Sequence, residues 1–199
     1  MITCSDIISY IEKNYNHKGK ISDLSNNAKI TDQTEAFAFD KIKEDIYKNC
    51  RSVDALLIKR NLNIIEFKTG FGCNYDSVNE RVKKENMELS IRIKAYESLH
   101  LLQTAIIDEI SDMDKLQDGI KIVFCAVIDT NEPVVADDAY VDILADEGGV
   151  ANHKSLKVKL VENVMKIYRK ETDKHKKLFY DETFVLYDYE FDSNIKRFR

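Results

Sequence analysis

The sequence predicts an α/β fold in which helices flank a central mixed sheet. Residues 53–68 read as a buried hairpin, and residues 120–128 read as a strand in the sheet interior. In both segments apolar residues occupy successive as well as alternate positions, which is typical of strands covered on both faces. Segments with helical spacing lie before, between and after them, so we expect helices packed on one layer of strands.

Composition favours a single domain over the whole range 1–199. The chain contains one proline and six glycines, and no Pro- or Ser-rich linker interrupts it. An apolar content of 44 % is ample for a sizeable core.

Several classes of protein are disfavoured by the sequence. The N-terminal residues lack the basic and apolar regions of a signal peptide, and no apolar run approaches ~20 residues, so we expect a cytoplasmic protein without membrane association. The cysteines are too widely spaced to form the ligand pairs of a structural zinc site, and a disulfide framework would be unusual in a chain this long. They are Cys4, Cys50, Cys73 and Cys125.

Spacing and turn signals define the remaining elements. The expected helices are 5–15, Thr31–Lys48, a long helix from Ser77 to about Ile110 that is broken once, and 154–172. The hairpin strands are 53–59 and 63–68, and Ser77 starts a Ser-x-x-Glu capping box. Residues Ala139–Leu144 are expected to form a short strand or helical turn, 146–153 a loop, and Phe179–Phe191 one or two strands.

A glutamate falls on the apolar side of the helix expected at Thr31–Lys48. Phe39, Ile42 and Ile46 have helical spacing, and counting back four residues from Phe39 reaches Glu35. Glutamate is rarely buried without a partner. Glu35 is therefore a candidate site residue, and the alternative is that it lies at the boundary of an amphipathic helix.

The hairpin carries three charges where apolar residues are expected: Asp54, Glu66 and Lys68. Isolated charges are costly in a core, so they persist when they pair with each other or with a metal. If the turn is centred on Asn61, Asp54 lies opposite Lys68 and all three charges share one face. This requires a connection of odd length. The alternatives are a strand-terminating Asp54 and a structural Glu66–Lys68 pair.

Two converging carboxylates suit Mg²⁺ or Mn²⁺, because these cations prefer oxygen ligands and retain several waters. A neighbouring lysine can orient an attacking water or neutralise charge on a phosphoryl group. Glu35 is available as a third carboxylate. These residue types together point to metal-assisted hydrolysis of a phosphodiester.

The pattern of Asp54 followed by Glu66-x-Lys68 resembles the motif of the PD-(D/E)xK nuclease superfamily, which has the restriction-endonuclease-like fold. Val53 replaces the nominal proline, and Lys68 is the only lysine with an acid two residues before it. The resemblance covers about 31–128 as an αβββαβ-type core, with 134–199 as a C-terminal extension contributing a helix and strand.

The resemblance implies a nuclease in which Asp54, Glu66 and Lys68 are catalytic and Asp54, Glu66 and Glu35 hold Mg²⁺ or Mn²⁺. It implies nucleic acid as the partner, DNA rather than RNA, and it allows a homodimer. It also implies a further polar site residue on the helix after the hairpin. The candidates are Arg81, Lys84, Arg92 and Lys94.

The helix expected at 154–172 is rich in basic residues, which can contact a phosphate backbone. We take Lys157, Lys166, Arg169 and Lys170 as its nucleic-acid-binding residues. A solvated helix face explains the same charges equally well.

An alternative function is kept open by the net charge of −5. A catalytically inactive nuclease-fold module could serve as a binding or scaffold part of a nucleic-acid-processing or defence complex. A further alternative is a protein of defence or mobile-element origin whose hairpin charges are structural.

Overall fold

The computed structural model describes residues 1–25, 30–111, 114–130, 153–176 and 178–198. Its strands are β1 (Lys18–Lys20), β2 (Glu35–Ala38), β3 (Ala55–Ile58), β4 (Leu62–Lys68), β5 (Ile122–Ile128) and β6 (Glu182–Tyr187). Its helices are α1 (Cys4–Asn14), α2 (Ile21–Leu24), α3 (Phe39–Ile46), α4 (Tyr75–Lys84), α5 (Met87–Leu102), α6 (Asp108–Ile110), α7 (His153–Lys176) and α8 (Asp188–Asn194). A π-helical segment, Gln103–Ile107, joins α5 to α6, and a 3-10 turn, Ile195–Arg197, follows α8.

The strands form one six-stranded sheet in the order of their numbering. Strands β1 to β4 pair antiparallel, whereas β5 is parallel to β4 and β6 is parallel to β5. The predicted α/β class, with a mixed sheet flanked by helices, is confirmed.

Two apolar clusters cover the two faces of the sheet, which explains why the hairpin is apolar at both parities. Leu62 and Ile64 of β4 belong to the larger cluster, which includes residues of α1, α3, α4, α5 and α7. Ile65 and Phe67 belong to the smaller one, which includes residues of α8 and the chain end. Even-numbered β4 residues therefore face the helical layer that contains α5 and α7.

Several predicted elements are confirmed. The structure contains the first helix, the strand ending at residue 128, the basic helix and a helical stretch after the hairpin that is broken at residues 85–86. No helix among the described residues is long and apolar enough to cross a membrane.

Other boundaries were wrong. Residues 35–38 form β2 rather than part of a helix. Helix α4 starts at Tyr75 and not at Ser77, because the Asn74 side chain caps it by accepting the Ser77 N–H at 3.0 Å. The segment 179–191 contains one strand, β6, as expected, but its last residues belong to α8. The predictions for Ala139–Leu144 and for residues 146–152 lie outside the described residues.

Candidate active site

The hairpin brings Asp54 and Glu66 to one face of the sheet. Residues 59–61 connect the strands, so the predicted odd-length connection is confirmed. The register differs by two residues from the prediction, since Leu56 pairs with Ile64 and not with Glu66. Asp54, directly before β3, therefore lies opposite Glu66 rather than Lys68.

Backbone hydrogen bonds fix Asp54 against both neighbouring elements. Its N–H donates to the Ile65 carbonyl at 3.2 Å, and its own carbonyl accepts the Phe39 N–H at 2.9 Å. Its carboxylate turns towards β4, where Oδ2 accepts the Phe67 N–H at 2.6 Å. The side chain is thus held at the end of the hairpin that carries Glu66 and Lys68.

Glu66 is only 1 % exposed and is bound by two lysines. Lys94 Nζ of α5 lies 2.8 Å from each carboxylate oxygen, and Lys68 Nζ lies 3.2 Å from Oε1. Removing one partner of a buried pair typically costs 3–5 kcal/mol, roughly, because the other charge is left uncompensated. The Glu66 carboxylate is therefore held in place by ammonium groups from a strand and a helix.

Lys68 extends the cluster away from the sheet. Its Nζ lies 3.3 Å from Glu85 Oε1 and donates to Ser90 Oγ at 3.1 Å. Glu85 in turn accepts from Arg81 Nε at 3.2 Å. Burial by itself would raise the pKa of Glu85, but the charges of Lys68 and Arg81 outweigh burial and lower it.

Among the acids of this cluster, Asp54 has the pKa that is shifted most strongly from its ordinary value. Burial raises the pKa of Asp54 to about 7, and the charge of Glu66 adds to the effect. The Lys94 ammonium and the Phe67 N–H oppose it. A carboxyl group poised near neutrality beside a buried carboxylate is a common feature of functional sites.

The pKa of Lys94 is also shifted by burial and by the charges of the neighbouring acids. Burial would lower the pKa of Lys94, but Glu66 and Asp54 outweigh burial and raise it. Lys94 is therefore a cation at ordinary pH values, paired with Glu66 and close enough to Asp54 for their charges to interact.

Helix α5 is aligned on the hairpin by a line of polar residues four positions apart. Ser90 contacts Lys68, Lys94 contacts Glu66, and buried Ser98 accepts the Val53 N–H at 2.9 Å. Residues at i and i+4 lie on one helix face. This spacing was a readable signal in the sequence, and it would have singled out Lys94 from the four candidates.

The loop after β4 is anchored from three sides. Asp129, which follows β5, accepts the Gly70 N–H at 2.9 Å and the Phe71 N–H at 2.7 Å. The Arg81 guanidinium lies 4.9 Å from the centre of the Phe71 ring. Lys157 of α7 donates to the Gly72 carbonyl at 3.1 Å. These contacts fix where α4 begins, and hence where Arg81 and its partners lie.

Tyr168 closes the site from the α7 side. Its side chain is fully buried, and its hydroxyl has no hydrogen-bond partner among the described residues. Burial raises the pKa of Tyr168, and the charges of Glu85 and Glu66 raise it further. The hydroxyl is therefore an unpaired polar group beside the carboxylates.

The structure separates Glu35 from the other predicted site residues. Glu35 is exposed at the start of β2, where it pairs with Lys20, whereas Ala38 at the other end of β2 pairs with Ala55. At about 3.3 Å per residue, Glu35 lies roughly 13 Å along the chain from Phe39, the neighbour of Asp54. The prediction of Glu35 as a core-facing helical residue was wrong, because Ala36, Phe37 and Ala38 are all buried in a strand.

A different acid from this segment approaches the site. Asp40 lies in the first turn of α3, and its charge makes a small contribution to the raised pKa of Asp54. Asp40 was not among the predicted site residues, because residues 31–48 were expected to form one helix with Glu35 on its apolar side.

The donor set fits a divalent cation only in part. Mg²⁺ commonly binds to one or two carboxylates and keeps several waters, so Asp54 and Glu66 meet its minimum requirement. No group of three or more His, Cys, Asp or Glu side chains that could hold a metal occurs in the described ranges. Lys94 already engages both oxygens of Glu66.

The basic residues of α7 divide into two kinds. Lys166, Arg169 and Lys170 are exposed and remain predicted nucleic-acid contacts. Lys157 is half-buried, and its ammonium binds the loop after β4, so it has a structural role as well.

The interpretation of this site rests on its own geometry and not on similarity to known proteins. No protein-family model, no curated protein and no solved structure matches the chain.

Proposed function

We propose that this protein is a metal-dependent nuclease that hydrolyses phosphodiester bonds, with DNA as its substrate rather than RNA. The observation that carries the proposal is the convergence of Asp54, Glu66 and Lys68 at one buried site. Glu66 and Lys68 lie within 3.2 Å of each other, and the charge of Glu66 raises the pKa of Asp54.

The order of elements supports the same proposal. Helix α1, the antiparallel strands β2 to β4, helices α4 and α5, and the parallel strand β5 occur in the order helix, three strands, helices, strand, with β1 and α2 inserted before β2 and α3 inserted between β2 and β3. The additional strand β1 and the C-terminal elements α7, β6 and α8 surround this order. Apart from these insertions, and with α1 in place of the helix expected at Thr31–Lys48, the order is compatible with the αβββαβ-type core that the PD-(D/E)xK resemblance implies.

The proposed roles follow from chemistry and position. Asp54 and Glu66 would hold Mg²⁺ or Mn²⁺, which when bound lowers the pKa of a coordinated water and neutralises charge on phosphoryl oxygens. Lys68 has its ammonium at the edge of the Glu66 carboxylate, where it can orient an attacking water. Glu85 and Ser90 position that ammonium through contacts of 3.3 and 3.1 Å.

Substrate binding would draw on α7. Its exposed Lys166, Arg169 and Lys170 lie within five residues of each other and present positive charge to solvent. Contacts of this kind make binding weaken as salt concentration rises. We expect replacement of these three residues by alanine to reduce both DNA affinity and its salt dependence.

The test is cleavage of single- and double-stranded DNA and RNA with Mg²⁺ or Mn²⁺, compared with EDTA. We expect cleavage of DNA that falls at least ~100-fold in Asp54→Asn and in Lys68→Met. Matched controls are Asp118→Asn and Lys59→Met, which change exposed residues away from the site. Circular dichroism confirms that each variant is folded. Absence of cleavage sensitive to these two substitutions, on every substrate and with both metals, excludes the proposed activity.

A second candidate function is a nuclease-fold module that binds nucleic acid without cutting it. The specific observation in its favour is that Lys94 and Lys68 already satisfy the Glu66 carboxylate. Salt-dependent DNA binding that is lost in the α7 alanine variants, together with no cleavage, identifies this second function.

A further inference from the structure

The Lys94 ammonium occupies the position that a cation bound to Glu66 would take. It lies 2.8 Å from Oε1 and 2.8 Å from Oε2, so it bisects the carboxylate. Asp54 lies close enough for its charge to act on the same ammonium. One tethered positive charge therefore serves both hairpin carboxylates.

A divalent cation bound between the two Glu66 oxygens and this ammonium compete for the same position. Mg²⁺ binds carboxylate oxygens at about 2.1 Å, so it would overlap the ammonium that contacts both of them. Lys68 also lies 3.2 Å from Oε1, so each oxygen of Glu66 has at least one ammonium partner among the described residues.

Charge balance leads to the same conclusion. With Asp54 ionised, the three acids Asp54, Glu66 and Glu85 balance Lys68, Lys94 and Arg81. Adding a divalent cation to this set leaves an excess of two positive charges in a mostly buried site, and departure of Lys94 halves that excess.

The Lys94 side chain has a route out of the site. It is 24 % exposed, in contrast to 1 % for Glu66 and 6 % for Lys68. A lysine side chain can swing its ammonium into solvent while its stem stays on the helix. Lys68 is too enclosed by Glu66, Glu85 and Ser90 to move in the same way.

We propose that Lys94 is a tethered competitor of the divalent cation, which holds the site neutral at rest and must be displaced before metal binds. The inference rests on the proposed metal-dependent function. It assigns to Lys94 control of metal affinity, so that the site fills only when the free metal concentration is high enough to displace the ammonium.

The test is binding of Mn²⁺ and Mg²⁺ to protein freed of metal, measured by isothermal titration calorimetry without nucleic acid. Lys94→Met keeps the length of the side chain and removes its charge. We expect this variant to bind Mn²⁺ at least ~10-fold more tightly than the unaltered protein. The matched control is Lys121→Met, which removes the lysine of the exposed Lys121–Glu182 pair at the opposite end of the sheet. It should leave Mn²⁺ affinity unchanged.

Thermal unfolding provides a second readout. Without metal, Lys94→Met leaves Glu66 with Lys68 alone, so we expect a lower Tm than that of the unaltered protein. Saturating Mn²⁺ should then raise the Tm of Lys94→Met more than it raises that of the unaltered protein. If Lys94→Met does not fold, Lys94→Gln keeps a hydrogen-bond donor towards Glu66 and replaces it in both measurements.

The outcomes separate this inference from the proposed function. Equal or weaker Mn²⁺ binding in the Lys94 variant, with clear binding to the unaltered protein, overturns the competition and leaves the nuclease proposal standing. Absence of Mn²⁺ and Mg²⁺ binding to every variant overturns both. Tighter binding in the Lys94 variant alone supports the competition, whatever the cleavage assay shows.

Discussion

Replacing Asp54 by asparagine should stabilise the folded protein at alkaline pH, although Asp54 is a proposed catalytic residue. Burial and the charge of Glu66 raise the pKa of Asp54 to about 7 in the folded state. Asparagine has nearly the same shape, stays neutral, and can still accept the Phe67 N–H that Asp54 accepts at 2.6 Å. The substitution therefore removes the cost of burying a charge and keeps the hydrogen bond.

The size of the effect follows from linkage between protonation and folding. An unfolded aspartate has a pKa near 3.9, so the shift to about 7 is about 3 units, or at most about 4 kcal/mol at 1.36 kcal/mol per unit. Between pH ~4 and ~7 the folded state binds the extra proton, so stability falls as pH rises through this window. Below pH ~4 both states are protonated and Asp54 contributes nothing.

Most of the difference should therefore develop between pH 5 and pH 8. The two units from pH 5 to about 7 set an upper limit of about 2.7 kcal/mol. Water that relaxes around the ionised group reduces this, so we expect Asp54→Asn to gain about 1–2 kcal/mol relative to the unaltered protein over that range.

The assay is urea denaturation of both proteins at pH 5 and pH 8 in EDTA, which keeps metal from binding to Asp54. The control is Asp118→Asn, a change at an exposed turn before β5 that should alter stability by less than ~0.5 kcal/mol at either pH. A gain for Asp54→Asn that is equal at both pH values, or a loss at pH 8, would refute the claim that Asp54 carries an unfavourable charge.

Three further changes test the surroundings of the site. Gly70→Ala should destabilise the fold by about 1–2 kcal/mol, because Gly70 has φ +91° and a Cβ there meets the Arg81 guanidinium. Asp129→Asn should cost about 1–3 kcal/mol and speed hydrogen exchange at the Gly70 and Phe71 amides, since these N–H groups donate to different oxygens of Asp129 and asparagine keeps only one of them. Tyr168→Phe should stabilise by about 1 kcal/mol, because it removes a buried hydroxyl without a partner among the described residues.

Two matched controls separate the causes. Gly119 has φ +89° and open space around its Cβ position, so Gly119→Ala measures backbone strain alone and should cost less than Gly70→Ala. Tyr180 donates its buried hydroxyl to the Ala95 carbonyl at 2.7 Å, so Tyr180→Phe should destabilise, in contrast to Tyr168→Phe. Equal costs for the two glycines, a loss in Tyr168→Phe, or unchanged exchange at the loop amides in Asp129→Asn each contradict the corresponding explanation.

In the hairpin, strand parity predicts which residues share a face of the sheet but not which residues pair. Parity and an odd-length turn were enough to predict that Asp54, Glu66 and Lys68 share a face, and the connection at residues 59–61 confirms the odd length. The register itself could not be predicted, because apolar residues at both parities allow a shift by two with no change of face. That shift places Asp54 opposite Glu66.

The segment before the hairpin shows where local pattern fails. Alanine and the spacing of Phe39, Ile42 and Ile46 favour a helix, but only 39–46 is helical. Pairing of Phe37 with Leu56 and Ala38 with Ala55 buries the preceding residues as a strand, and this tertiary pairing overrides their helix propensity.

Lys94 marks the limit of reasoning from a motif. The motif specifies the acids and the lysine on the strands, whereas for the next helix the resemblance gives only a set of four candidates that includes Lys94. Ser90, Lys94 and Ser98 lie at intervals of four on the α5 face that meets the hairpin, and a buried pair of acids on the hairpin requires positive charge on that face. A comparison of the polar positions on the helix with the charges on the hairpin strands would therefore have predicted Lys94 as the partner of Glu66. The metal-binding measurements test whether a divalent cation also displaces Lys94 from Glu66.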